Sequence, residues 1–163
     1  MDEQFKKAKR HALRLLHHNM AIVSAGTAPE ILGTLVTWFM QTSFEPPLVT
    51  LALKKDSRLL ELVEETGRLT ISLIAKNDEQ LAKAFFTPGQ WESDGTCKGF
   101  PAQVLPEGGM IFQASPAWLV GEVAQIIRIG DHYPVISRIV KAGINSTDTP
   151  AMCLCETPWH YGG

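Results

Sequence analysis

A chain of 163 residues can close a hydrophobic core without disulfide or metal staples, and its ordinary apolar share fits one globular domain over residues 1–163. Seventeen acidic residues against fifteen basic ones leave a net charge of −2, which offers no electrostatic footprint for nucleic acid or an anionic membrane. No apolar run approaches the roughly 18 residues of a membrane span, and Lys and Arg interrupt the N-terminus throughout, so a soluble, cytoplasmic protein is expected.

Residues 3–18 read as a helix, with Phe5, Ala8, Ala12, Leu15 and Leu16 at helical spacing. His11, His17 and His18 lie near this face; adjacent histidines are poor joint metal ligands on a helix and read as solvent or interface groups. Residues 20–25 form a short β run that turns at Gly26-Thr27-Ala28-Pro29. The next stretch starts at Gly33, runs through β-branched, aromatic and hydroxyl residues, breaks at Glu45-Pro46-Pro47 and resumes as a second strand over residues 48–53. Two consecutive prolines cannot both serve a central ladder, so a corner is expected there. Thr37, Thr42 and Ser43 place hydroxyls beside apolar neighbours, which suits a planar ligand with polar edges. An ordinary buried hairpin whose threonines reflect β propensity has the same pattern.

Ser57 or Asp56 is a candidate N-cap for a helix carrying Leu59, Leu60, Leu62 and Val63, and Gly67 is its candidate stop. Basic residues at a helix N-terminus oppose the macrodipole. Lys54, Lys55, Ser57 and Arg58, with free backbone N–H groups, therefore read either as a phosphate site or as a solvated charged turn. Residues 69–75 alternate as a strand, and Asn77-Asp78-Glu79-Gln80 starts a short helix ending near Phe86. Residues 87–101 read as a long loop holding Trp91, which with Phe85 and Phe86 either covers a ligand or tucks onto the core.

Residues 110–114, 118–129, 132–144 and 150–156 are β runs, and Gly130-Asp131 is a tight turn that sets His132 at a sheet rim. Cys153 and Cys155 then share one strand face and read as small buried hydrophobes, while Cys97 sits alone in a Gly-rich loop. The aromatic tail Trp159-His160-Tyr161 suggests packing on a partner subunit. Many β runs, few helices and no βαβ alternation give a mainly β chain, an antiparallel barrel with an N-terminal helix and short peripheral helices. No nucleophile elbow, P-loop, Gly-x-Gly-x-x-Gly turn, metal spacing or paired glycosidase carboxylates are present, so an enzyme of this sequence relies on a bound cofactor.

One ordered set of residues carries a resemblance: Gly33-x-x-x-Thr37-Trp38-x-x-Gln41-x-Ser43-Phe44-x-Pro46-Pro47, then Lys54-Lys55-Asp56-Ser57-Arg58, Leu81-Ala82-Lys83-Ala84-Phe85-Phe86 and Gly130-Asp131-His132. From Met20 onward the chain resembles the flavin reductase-like, FMN-binding split-barrel family, including the flavin-reductase module of some flavodiiron proteins. The resemblance implies a six-stranded antiparallel split barrel, a homodimer, and FMN (with FAD as the variant) bound near the dimer interface. It implies Leu35, Thr37, Trp38, Ala52 and Lys54 at the flavin ring, Lys55, Ser57 and Arg58 at the phosphate, Phe86 beside the site, and His132 next to flavin and nicotinamide. The implied chemistry is hydride transfer from NAD(P)H to flavin, with reduced flavin handed to a partner or acceptor. Trp38 stands where the family keeps a small hydroxyl residue and narrows the nicotinamide space. That departure also fits an FMN-binding electron-transfer protein reduced by a partner.

Overall fold

The computed structural model describes residues 2–162. Two faces of one strand explain its architecture. In β1 (Ala21–Thr27), alternate side chains serve two separate cores. Ala21, Val23 and Ala25 enter the first core, and Ile22, with Met20 just ahead of the strand, enters the second. A strand buried on both faces sits at the centre of its sheet, and β1 pairs antiparallel with β2 (Glu30–Val36) on one side and β5 (Arg68–Leu73) on the other.

The remaining strands of this sheet are β3 (Phe39–Ser43), β4 (Leu48–Lys54), β6 (Gly89–Gln90), β10 (Ala117–Ile126) and β11 (His132–Ile144). Their order is β3-β4-β11-β10-β5-β1-β2-β6, with every pairing antiparallel. A second sheet of three short strands contains β7 (Thr96–Cys97), β8 (Phe100–Val104) and β9 (Met110–Phe112). The expected six strands thus become eleven. The six with more than five residues are contiguous in the large sheet, and β3 and β6 extend its two edges.

Helix α2 (Arg58–Thr66) covers the first core with Leu59, Leu60, Leu62 and Val63. Its ends follow the sequence rules. Ser57 Oγ accepts from the Leu60 N–H, and Gly67 takes a left-handed conformation (φ 66°) that lets its N–H close on the Val63 carbonyl. The second core is sealed by the small sheet and by α3 (Glu79–Ala84), capped by Asp78.

Buried hydroxyls join the two sheets. Ser24 Oγ donates to the Met110 carbonyl (3.0 Å) and accepts from the Met110 N–H (2.9 Å), and Thr70 Oγ1 donates to the Gly108 carbonyl at 3.0 Å. Gly109 fits between them; a Cβ there would lie 2.7 Å from Thr70 Oγ1. Ser24→Ala leaves the Met110 N–H without its side-chain partner and the Met110 carbonyl with only the longer 3.4 Å bond from Ser72 Oγ. We expect a loss of about 1–3 kcal/mol, seen as a fall of roughly 2–4 °C in melting temperature per kcal/mol.

Several expectations are corrected. The run from Gly33 to Phe44 is two strands, broken at Thr37-Trp38 where the chain leaves the β1 side of the sheet and joins the β4 side. Residues 87–101 fold into short strands, because Trp91 bridges Cys97 and the Glu92 N–H bonds the Thr96 carbonyl. Cys97 is buried in the second core, and burial pushes its thiol pKa up to about 11. Residues 150–156 form isolated bridges at Ala151 and Cys153 and then a 3-10 turn, Leu154–Glu156. That turn brings the Cα atoms of Cys153 and Cys155 to 5.3 Å, and the two are joined as a disulfide in place of two free thiols on a strand. The N-terminal helix is α1 (Glu3–Arg14), shorter than expected, and it buries none of its residues.

Candidate functional site

The break between β2 and β3 opens a cavity of about 800 Å3, within the roughly 300–1,000 Å3 typical of cofactor sites. One wall is the end of β2 and the Thr37-Trp38 link; a second is the end of β4, Ala52 to Lys54. Asp56, Ser57, Arg58 and Leu59 close one end, and Phe86, His132 and the C-terminal residues Leu154, Trp159, His160 and Tyr161 close the rest.

Backbone hydrogen bonds fix these parts against one another. The Ala52 N–H donates to the Trp38 carbonyl (2.9 Å), so the β2–β3 link is held on β4. The Leu35 N–H donates to the Phe85 carbonyl (3.0 Å), which brings Phe86 to the rim. Lys55 N–H donates to the Asp131 carbonyl (3.0 Å), next to the register pair Lys54↔His132. Directly opposed residues of an antiparallel pair share a face. Lys54 and His132 thus both reach the cavity.

His132 is held from three sides. Its Nδ1 lies 3.0 Å from Asp131 Oδ1, its Nε2 lies 2.8 Å from the Tyr161 hydroxyl, and its ring meets Trp38 edge-on at 4.9 Å between centroids. The hydrogen bond from His132 holds the Asp131 carboxyl below its ordinary range, and burial chiefly raises the Tyr161 phenol. An ionised carboxylate only accepts and a neutral phenol can donate. Nδ1–H therefore points at Asp131, and the Tyr161 hydroxyl is the hydrogen-bond partner of Nε2.

The Thr37 hydroxyl is buried on the cavity wall and has no hydrogen-bond partner among the described residues. Leaving a buried hydroxyl unpaired costs about 1–3 kcal/mol. A ligand with a polar edge at this wall removes that cost, so the residues present fit a flavin.

The charged end differs from the sequence picture. Arg58 Nε and Nη2 donate to Glu30 Oε1 at 3.1 and 2.7 Å, and Nη1 donates to Glu61 Oε2 and Glu65 Oε1, each at 2.9 Å. These three carboxylates hold the guanidinium firmly protonated and occupy four of its five donors. Ser57 Oγ is also engaged, donating to the Lys54 carbonyl at 2.7 Å while capping α2. Lys54, by contrast, makes no ion pair among the described residues. The Arg58 and Leu59 N–H groups, first in α2, donate to no protein group there.

Of the residues singled out from sequence, Leu35, Thr37, Trp38, Ala52, Lys54, Ser57, Arg58, Phe86 and His132 line this cavity. Lys55 does not. Nor do Thr42, paired to Thr50 Oγ1 at 2.9 Å, and Ser43, both on β3. Phe85 is fully buried in the second core and Trp91 packs against that core, so neither covers the cavity. Sequence reasoning missed Leu154 and sent the aromatic tail to a partner subunit; the tail lies on the cavity of its own chain. Its signal was the aromatic density itself.

Comparison with known proteins settles the family. Residues 13–158 match the flavin reductase like domain. The chain belongs to that family. It is 28% identical over 145 residues to the NADH:FMN oxidoreductase of Rhodococcus qingshengii, covering 87% of this chain and 72% of the relative. The styrene monooxygenase flavin reductase of Pseudomonas putida S12 superposes with a TM-score of 0.69 at 26% identity, over 83% of this chain and 85% of that one. The Streptomyces globisporus NADH:FAD oxidoreductase SgcE6 shares the fold, with a TM-score of 0.79 at 18% identity over 94% and 90% of the two chains. This flavin reductase is mainly β with a few helices, and among its described residues no helix is long and apolar enough to cross a membrane.

Proposed function

We propose that the chain transfers a hydride from NADH or NADPH to FMN held in the cavity between β2, β4 and α2, and that the reduced flavin passes to a separate acceptor. The flavin, when bound, supplies the ring that takes and gives up the hydride. The observation that carries the reading is the unpaired, buried Thr37 hydroxyl on an otherwise largely apolar wall. Leu35 and Ala52 give the ring flat apolar contacts, and Thr37 takes one polar edge. Lys54 and the free N–H groups of Arg58 and Leu59 hold the phosphate, an anion at a helix N-terminus. His132, fixed by Asp131, orients the second ring against the first, so the protein acts by proximity and alignment. The relative named as the reductase of styrene monooxygenase supports an oxygenase as the acceptor. Exposed Met40, Phe44, Val140 and Ile144, with the uncovered apolar residues of α1, support a homodimer.

A second reading, an electron-transfer protein that a partner reduces, is favoured by one feature: Trp38 and Tyr161 crowd the space beside His132. Anaerobic mixing of FMN-loaded protein with NADH and with NADPH decides between them. Fast bleaching of the flavin band is the expected result. A firmly bound flavin inert to both reductants would overturn nicotinamide use in favour of the second reading.

A further inference from the structure

We propose that the C-terminal tail, from Trp159 to Tyr161, is a built-in strap that competes with the nicotinamide for the His132 side of the cavity. The inference rests on the hydride-transfer reading and adds a control on access to the same site. Its basis is what the tail occupies. The open nitrogen of His132, Nε2, is taken by the Tyr161 hydroxyl at 2.8 Å. The Trp38 ring is flanked by Tyr161 at 5.1 Å between centroids, and a Cβ added at Gly162 would fall 2.7 Å from Trp38 Cζ2. The backbone therefore crosses Trp38 at contact distance. A second planar ring brought beside His132 needs the hydrogen-bonding nitrogen and the aromatic neighbour that Tyr161 is using.

The strap is also fastened in a way that lets it lift. Up to Thr157 the segment is tied down: the Met152 N–H donates to the Ile74 carbonyl, the Leu154 N–H to the His18 carbonyl, and the Thr157 N–H to the Leu154 carbonyl. Beyond Thr157, the residues from 158 to 162 make no backbone–backbone hydrogen bond among the described residues. They are held by side-chain contacts: Trp159, half-buried against the second core, lies edge-on to Phe86 at 5.0 Å with the Lys83 ammonium over it at 5.4 Å and its backbone N–H donating to Thr157 Oγ1 at 3.2 Å; Tyr161 sits on His132, and Arg14 Nε donates to the Gly162 carbonyl at 3.5 Å. Tyr161 remains 50% exposed. Segments with few buried contacts and no ladder open at low free-energy cost, while the strands beneath stay closed. The hinge falls at Thr157–Pro158.

A site whose competent form is only partly populated binds its ligand more weakly by that fraction. The test is calorimetric titration of NAD+ into FMN-loaded protein, comparing wild type, Tyr161→Phe, Tyr161→Ala and a chain ending at Thr157. Tyr161→Ala keeps the full length and guards against misfolding of the truncated form. The expected result is NAD+ affinity raised about tenfold in Tyr161→Ala, further in the truncated chain and less in Tyr161→Phe, with a smaller change in FMN affinity. Unchanged or weaker NAD+ binding in Tyr161→Ala overturns the strap and leaves the reductase reading standing, since Tyr161 would then be a wall the nicotinamide uses. Absence of binding by NAD+, and by NADP+ titrated in the same way, in every form with FMN retained overturns the nicotinamide reading and the strap with it.

Discussion

Replacing His132 with alanine is expected to slow flavin reduction by NADH about tenfold or more while FMN affinity stays within about twofold. The asymmetry follows from where the side chain sits. His132 opens β11 opposite Lys54, its side chain is only 18% exposed, and its partners are Asp131 and Tyr161. None of its hydrogen bonds runs to the Thr37 wall or to the α2 end, where the proposed flavin contacts lie. Its loss should therefore disturb the placement of the second ring more than the retention of the first. A displacement near 1 Å can cost roughly a hundredfold in a reaction that depends on ring alignment. Asp131→Asn provides the companion measurement. It keeps the size of the side chain but removes the carboxylate that sets the imidazole tautomer, so it should reproduce part of the His132→Ala rate loss. Stopped-flow reduction and FMN calorimetry on the same preparations check the pair. Equal losses in rate and FMN affinity would place His132 in the flavin site and remove its role toward the nicotinamide.

What the sequence made legible were features set by near neighbours. Ser57 reads as an N-cap because its hydroxyl needs only the N–H three residues on, and Gly67 as a stop because the left-handed region favours glycine. His132 reads as a rim residue because Gly130, with φ 80°, makes the turn before it. Errors fell where a distant partner decides. The apolar spacing of α1 predicts a buried face, yet Phe5, Leu15 and Leu16 are exposed in this chain. Residues 150–156 carry strand-like side chains, but only two of them meet a bridging partner. Arg58 reads as an unpaired cation from its immediate neighbours, and its pairing with Glu30, 28 positions earlier, is not legible there. The hydroxyls divided in the same way. Thr37 faces the cavity unpaired, whereas Ser24 and Thr70 are committed to holding the small sheet, and no local pattern separates the two uses.

The charge at the α2 end leads to the second large effect, an ordering of three cations. Lys54→Ala should weaken FMN binding severalfold to about tenfold, because a charge-assisted contact to phosphate is among the stronger hydrogen bonds available. Lys55→Ala should change it less than about twofold, since Lys55 lies off the cavity wall and contributes its N–H to the Asp131 carbonyl. Riboflavin, which lacks the phosphate, separates this effect from damage to the ring site: its affinity should not respond to Lys54→Ala. Arg58 behaves differently from a simple clamp. With its donors spread over Glu30, Glu61 and Glu65, the guanidinium neutralises carboxylates that would otherwise repel the phosphate. Arg58→Ala should therefore also weaken FMN, but through uncovered negative charge, and adding salt should restore part of the loss by screening. Glu30→Gln acts in the opposite sense, leaving two donors of Arg58 on a neutral and weaker acceptor and removing one negative charge, and is expected to tighten FMN binding. Calorimetry of FMN and riboflavin across these variants at two salt concentrations tests the whole ordering. Equal losses from Lys54→Ala and Lys55→Ala, or a riboflavin affinity that falls in step with FMN, would remove the phosphate from this end of the cavity.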